Sequence, residues 1–320
     1  MGQGFRTDLP RWQHLVSADW LAALLAGQGV LAQPAPGWQI IEVGCDDLEA
    51  HAAGHIPGAR YLDTQQLEQL PCWTQVPDAA LRDLLERRGI GPDSCVILVG
   101  RKPLAAARAA HLLLVAGVKD VRLLDAGLAA WCDAGFSLRQ EVETTSIAHR
   151  PWQGPFPAQP SYRVDCAQVR SMLARPDCTV VSIRTRAEFW GETSGYDYIA
   201  ARGEIAGAVW GQAGSDGDAH SMSRYQTADG HMRPAAEIER LWMEAGLRPS
   251  QHLVFYCGTG WRASMAFFYA WLMGWERISV LDGGWMAWSS DPTNPVICRS
   301  TASPSPARPQ SGPVRQNLPI

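Results

Sequence analysis

Cys257-Gly258-Thr259-Gly260-Trp261-Arg262 joins a short β-rich run, His252–Tyr256, to an apolar run of helical length over residues 262–273. The pattern predicts a strand, a tight loop and a helix. A cysteine at the carboxyl end of a parallel strand lies where open α/β sheets place ligands, with the amino end of the next helix aimed at it. Free N–H groups and the helix dipole stabilise an anion there, and the same field favours a thiolate. Gly258 and Gly260 let the backbone curl so that successive N–H groups converge on one centre. The chemistry that suits this loop is that of a reactive thiolate beside a bound anion. The competing reading, a small buried hydrophobe after a strand, is the ordinary fate of a cysteine.

An internal repeat argues for the chemical reading. Residues 121–131, Val-Arg-Leu-Leu-Asp-Ala-Gly-Leu-Ala-Ala-Trp, match 278–288, Ile-Ser-Val-Leu-Asp-Gly-Gly-Trp-Met-Ala-Trp, at a constant offset of 157 residues. The same offset pairs Gly117 with Gly274 and the apolar run 96–99 with 253–256. Further upstream, Gly54-His55-Ile56-Pro57-Gly58-Ala59 pairs with Gly203-Glu204-Ile205-Ala206-Gly207-Ala208 at the shorter offset of 149. The chain therefore reads as two diverged copies of one unit. At the position equivalent to Cys257 the first copy has Gly100, and Pro103 replaces Gly260, so that loop lacks both a nucleophile and one N–H. The first copy is expected to be catalytically inactive.

Strand-like runs alternate with helical segments in each copy, which predicts an α/β fold of two tandem domains, each a parallel sheet flanked by helices. The second copy reads as a strand over 179–183, a helix over 234–246, the strand His252–Tyr256 and a buried helix over 262–273, stopped by Gly274. Ser17 is the expected N-cap of a helix over 18–26. The expected divisions are a first domain over 15–139, a linker over 140–160 rich in proline, a catalytic domain over 161–298 and a disordered tail over 299–320, where Ser, Pro, Arg and Gln dominate.

The 320 residues are 46% hydrophobic and 19% charged, with 28 Lys+Arg against 32 Asp+Glu, so no basic surplus invites nucleic acid. No apolar run approaches the ~20 residues that span a bilayer, and no convincing signal peptide is visible, so a cytoplasmic protein without membrane association is expected. The eight cysteines stand singly, with no CxxC pair to hold zinc or to suggest a disulfide framework.

Taken together, the loop Cys257–Arg262, the Gly-His-Ile-Pro-Gly-Ala block at 54–59 and Leu281-Asp282-Gly283-Gly284-Trp285 resemble the rhodanese family, over roughly residues 15–298. The likeness is to tandem-domain sulfurtransferases with an inactive first and an active second domain. The loop looks closest to a group of thiosulfate sulfurtransferases that carry a further amino-terminal domain and an export signal. The resemblance implies a ping-pong reaction that needs no metal or organic cofactor: Cys257 takes the outer sulfur of thiosulfate, or of another persulfide or thiosulfonate donor, and yields it to a thiophilic acceptor such as cyanide or a thiol. It implies Gly258, Thr259, Gly260, Trp261, Arg262, Arg184 and Arg202 as loop and substrate-binding residues, with Arg186 a further source of charge for the donor.

Mercaptopyruvate-specific members place an arginine where this chain has Glu188, an acid expected to repel a carboxylate, so thiosulfate is the favoured donor and mercaptopyruvate the alternative. Arg184 is expected either to meet the donor or to pair with Glu188 at a helix start. His55 matches a histidine proposed in those members to act across the domain cleft through the loop hydroxyl, here Thr259, with Asp46 or Asp47 orienting it; otherwise it braces its own Pro57-Gly58 turn. His51 is expected on a solvated helix face. Trp261 reads as a wall of the donor pocket or a patch for a protein acceptor. A phosphatase or arsenate reductase of related fold is disfavoured, because those use Cys-x5-Arg and this loop is Cys-x4-Arg. A dedicated sulfur relay to a partner protein stays open, the 14 tryptophans being compatible with a docking face.

Overall fold

In the computed structural model, which describes residues 5–140 and 148–299, the duplicated blocks of sequence fall on duplicated strands. Part of the expected linker, 141–147, and the expected tail from 300 onward lie outside the described residues. The first half runs β1 (Leu15–Val16), α1 (Ala18–Leu25), β2 (Gln39–Gly44), α2 (Leu48–Ala53), β3 (Ala59–Asp63), β4 (Glu68–Gln69), β5 (Thr74–Gln75), α3 (Asp78–Arg87), β6 (Cys95–Gly100), α4 (Pro103–Ala116), β7 (Asp120–Leu124) and α5 (Gly127–Asp133). Its parallel sheet has the order β1-β7-β6-β2-β3.

The second half continues with β8 (Arg163–Val164), α6 (Cys166–Met172), β9 (Cys178–Ser182), α7 (Arg186–Trp190), β10 (Glu204–Ile205), β11 (Val209–Trp210), α8 (Ala235–Glu244), β12 (His252–Tyr256), α9 (Trp261–Leu272), β13 (Ile278–Leu281), α10 (Gly284–Ser289) and β14 (Val296–Ile297). Its parallel sheet, β8-β13-β12-β9-β11, repeats the first in equivalent strands. β4 with β5, and β10 with β14, add short antiparallel ribbons.

The elements follow local rules. Ser17 accepts the Trp20 N–H and opens α1, as expected. Pro103 occupies the first turn of α4, where its missing N–H costs nothing. Asp165 and Thr185 begin α6 and α7 with capping boxes completed by Gln168 and Glu188. Every residue of α9 is buried, because one side lies on its own sheet and the other on α4 of the first half. Side chains such as Phe267 and Leu272 there each contribute about 1.5–3 kcal/mol by leaving water.

The two halves exchange matching hydrogen bonds. Gln75 N–H donates to Asp282 Oδ2 at 2.9 Å, and Met232 N–H donates to Asp125 Oδ1 at 3.0 Å, positions related by the sequence offset. His111 on α4 shares a 2.9 Å hydrogen bond with the Tyr162 carbonyl through Nε2 and packs edge-to-face on Phe267 of α9, with ring centres 4.8 Å apart. Among the described residues, no helix is long and apolar enough to cross a membrane.

Candidate active site

Cys257 directly follows β12 and Gly260 caps α9, so residues 257–260 form the loop between a strand terminus and a helix amino end, as the sequence predicted, with Trp261 and Arg262 in the first turn of α9. The Gly260 N–H donates to Cys257 Sγ at 3.2 Å. The first turn of a helix leaves its N–H groups without intrahelical acceptors, so they face whatever binds beside the sulfur. Two glycines are obligatory here. Gly260 has φ +142°, and a Cβ on Gly258 would lie 2.3 Å from the Tyr196 ring. The loop is backed by the first turn of α10: Trp285 N–H donates to Cys257 O at 2.7 Å and Met286 N–H to Gly258 O at 2.9 Å. Cys257 is 1% exposed and Thr259 2%, which shields the thiol from bulk water.

Arg262, expected to serve the donor, is committed within the protein. Its Nη1 and Nη2 each donate to the Glu188 carboxylate at 2.8 Å, and Nη2 also donates to Tyr196 Oη at 2.8 Å. Both members of the pair are buried. Burial alone would raise the Glu188 carboxyl, but Arg262, with help from Arg184 and the Thr185 N–H, holds it below the ordinary glutamate value. The expectation that Glu188 repels a carboxylate donor is corrected, since its charge is neutralised by Arg262. The expected Arg184–Glu188 pair does not form.

Arg184 lies under the sheet end instead. It is fully buried, donates to Gly203 O at 2.6 Å and to Ser182 Oγ at 3.3 Å, and stacks its guanidinium 4.7 Å from the Trp285 ring centre. These contacts brace β9 against the Gly203 turn and involve no residue of the Cys257 loop. Arg202 is half-buried and donates to Glu192 O at 3.2 Å, while Arg186 sits over Trp190 and pairs with Glu192 at 3.5 Å.

His55 is turned inward within its own half. It is buried, its Nδ1 shares a 2.9 Å hydrogen bond with His51 O, and its backbone pairs with Arg139. Neither Asp46 nor Asp47 orients it: Asp47 accepts the Cys45 N–H, and the Asp46 N–H donates to Asp63. His51, expected on a solvated face, is instead buried, stacked 4.1 Å from His55 and 3.3 Å from Glu42. The equivalent loop in this half is occupied by Arg101, which donates to Glu42 and to the carbonyls of Ala50 and Gly54.

Residues outside the loop, reached through Trp261, complete the site. Trp261 is not an exposed patch: it is buried and its Nε1 donates at 2.9 Å to Glu68 Oε2, across the boundary between the halves. Glu68 Oε1 accepts from Arg108 Nε at 2.7 Å, and Arg108 Nη2 donates to Asp282 Oδ1 at 2.6 Å. Burial pushes the Glu68 carboxyl up to about 7 against the pull of Arg108 and Trp261. One signal in the sequence pointed here, a single arginine inside the alanine- and leucine-rich helix α4. Beside the loop, the rings of Trp73 and Tyr198 lie 4.8 Å apart and those of Tyr198 and Tyr196 5.3 Å apart. The buried Tyr198 hydroxyl has no hydrogen-bond partner among the described residues.

The description "Rhodanese-like domain" matches residues 17–134 and again 165–291. The chain is 47% identical over 288 residues to "Thiosulfate sulfurtransferase YnjE" of Escherichia coli, covering 90% of this chain and 66% of that relative, slightly under two thirds of its length. The crystal structure of YnjE superposes with a TM-score of 0.88 at 46% identity, over 91% of this chain and 70% of that one. The anaerobic ergothioneine biosynthesis enzyme of Chlorobium limicola, solved with its natural substrate trimethyl histidine, gives a TM-score of 0.84 at 37% identity, over 91% and 71% of the two chains. A "Sulfur carrier protein TtuD" of Thermus thermophilus is 28% identical over 282 residues, 86% of this chain and 93% of that relative.

Proposed function

This chain belongs to the rhodanese family, and from that membership we propose that it is a sulfurtransferase, moving a sulfane sulfur from thiosulfate through a persulfide on Cys257 to a thiophilic acceptor. The reacting residue lies in the second half, 161–298; the first half, 15–139, acts without a nucleophile, 140–160 joins them and 299–320 trails. In the first step the Cys257 thiolate attacks the outer sulfur of thiosulfate. The S–S bond of the donor breaks, its electron pair leaves with sulfite, and the cysteine carries a terminal sulfur anion. In the second step cyanide or a thiolate attacks that terminal sulfur and the Cys257 thiolate is regenerated.

The observation that carries this reading is the Gly260 N–H on Cys257 Sγ at the amino end of α9. Donor, leaving sulfite and persulfide are all anions, so one cradle of N–H groups serves each of them. Arg262 supports the cradle from behind by holding Glu188 and Tyr196, rather than by binding the donor. With Glu188 neutralised, mercaptopyruvate meets no bare acid at that position, and the preference for thiosulfate rests on the likeness to YnjE. All eight cysteines are free, in keeping with a reducing, cytoplasmic site of action.

A second acceptor class is favoured by one feature. Trp73, Tyr196 and Tyr198 present aromatic rings beside the loop, a surface suited to a quaternary ammonium group, and the relative from Chlorobium limicola is described with trimethyl histidine. A protein acceptor, in the manner suggested by the sulfur carrier relative, is the remaining alternative.

Intact mass after incubation with thiosulfate and, separately, mercaptopyruvate tests the proposal, with Cys257→Ser alongside. A gain of roughly 32 Da, one sulfur, lost in the variant is the expected result. No gain from either donor overturns the small-molecule donor reading. Release of that sulfur to cyanide, a thiol or trimethyl histidine then ranks the acceptors.

A further inference from the structure

We propose that Glu68 and Arg108, which lie in the half without a nucleophile, are positioning residues for the Cys257 loop: Glu68 fixes Trp261, Arg108 fixes Asp282, and together they keep the Gly260 N–H on the cysteine sulfur. The assignment rests on Cys257 being the reacting thiol. Two routes lead from α4 and β4 to that sulfur. By the first, Trp261 Nε1 donates to Glu68 Oε2 at 2.9 Å, and Trp261 directly follows the glycine whose N–H meets Sγ. By the second, Arg108 Nη2 holds Asp282 Oδ1 at 2.6 Å, at the head of the Gly283-Gly284 turn. That turn delivers the Trp285 and Met286 N–H groups to the carbonyls of Cys257 and Gly258, and it sits so close that a Cβ on Gly284 would lie 2.6 Å from Cys257 O. Arg108 Nε on Glu68 Oε1 at 2.7 Å ties the two routes together.

The duplication supplies a comparison within one molecule. The offset that carries Gly100 onto Cys257 carries Arg108 onto Met265, a buried apolar residue of α9. Charge has thus been buried on the side that faces the thiol, and its counterpart is apolar. Burying an arginine and a glutamate is costly in desolvation, and a hydrophobic contact between α4 and α9 would hold the halves together without it. What the ionic cluster adds is direction, because hydrogen bonds fix the angles of Trp261 and Asp282 as packing alone does not. The remaining Arg108 nitrogen, Nη1, is buried without a partner among the described residues and lies 3.4 Å from where a Cβ of Gly260 would be, so the guanidinium is laid against the loop backbone itself.

Alkylation of Cys257 by iodoacetamide, followed on the peptide that carries it, reads the sulfur's environment without any sulfur donor. Glu68→Gln keeps one acceptor oxygen and can serve Trp261 or Arg108 but not both; Trp261→Phe keeps a ring and removes the N–H. Each is expected to slow alkylation at pH 7 by about tenfold and to move the midpoint of the rate-against-pH profile upward, as loss of a hydrogen bond to the sulfur requires. The double variant is expected to be no slower than the slower single one, because both changes cut the same link. Unchanged rates and midpoints in both single variants overturn the assignment, as do effects that multiply in the double variant. If Glu68→Gln fails to fold, Trp261→Phe alone decides by the same two readouts. Failure of the wild-type protein to gain sulfur would sink the sulfurtransferase reading and leave this comparison standing.

Discussion

Arg262 and Glu188 face each other through two parallel hydrogen bonds of 2.8 Å, with neither side chain open to solvent. The arginine of the nucleophile loop is thereby tied to the first turn of α7, and through the Thr185 capping box to the end of β9. A bidentate pair of this kind fixes orientation as well as charge.

Removing one partner of that pair strands a buried charge. Glu188→Gln and Arg262→Met are each expected to lower unfolding free energy by about 3–5 kcal/mol, and the double variant is expected to lose less than the sum. Urea denaturation of the three variants checks this; strictly additive losses would show that the two side chains do not act as a pair.

Gly258 has no room for a side chain. In Gly258→Ala the new methyl meets the Tyr196 ring at 2.3 Å, and Tyr196 in turn holds Arg262. Sulfur uptake from thiosulfate is expected to fall by at least about tenfold as the ring is displaced. Uptake at the wild-type rate, measured by mass over time, would mean that Tyr196 moves without consequence for the loop.

His55 spends its Nδ1 on the carbonyl of His51, inside its own half. His55→Asn can preserve that bond with a side-chain amide and is expected to leave the rate of sulfur uptake within about twofold of wild type, while costing about 1 kcal/mol of stability. A large fall in rate with unchanged stability would restore the role across the cleft that the sequence suggested.

Burial pushes the His111 imidazole down to about 3, with the nearby Arg108 adding to the effect and the Tyr162 carbonyl opposing it. The folded state therefore binds its proton later than the unfolded state does. The stability contributed by neutral His111 is complete above about pH 6.5 and is lost progressively as pH falls toward 3. His111→Gln, which can still donate to Tyr162 O, is expected to remove that slope. Between pH 6.5 and pH 5 the wild-type protein should lose about 2 kcal/mol relative to the variant. Equal losses in guanidinium titrations at the two pH values would contradict it.

The sequence by itself determined the duplication, the α/β class and the strand–loop–helix around Cys257, because each is written in local order. Hydrophobic period, glycine placement and caps act over a few residues, so β12 is found at the predicted residues and α9 begins one residue before its predicted start. Gly100 opposite Cys257 was legible for the same reason. What local order could not carry was the destination of each charged side chain. Arg262 and Arg184 are of one type in similar settings, yet one closes on Glu188 and the other on the Gly203 carbonyl. His51 on α2 and His55 just beyond its end share a buried stack that no spacing rule distinguishes from an exposed face. Glu68 and Arg108 are 40 residues apart, and Trp261 reaches them only when α4 packs on α9. A buried charge takes whichever partner the packing of distant elements brings within hydrogen-bond reach, and that choice exists only once those elements have packed, within a half for Arg262 and Arg184 and between the halves for Trp261 and Asp282.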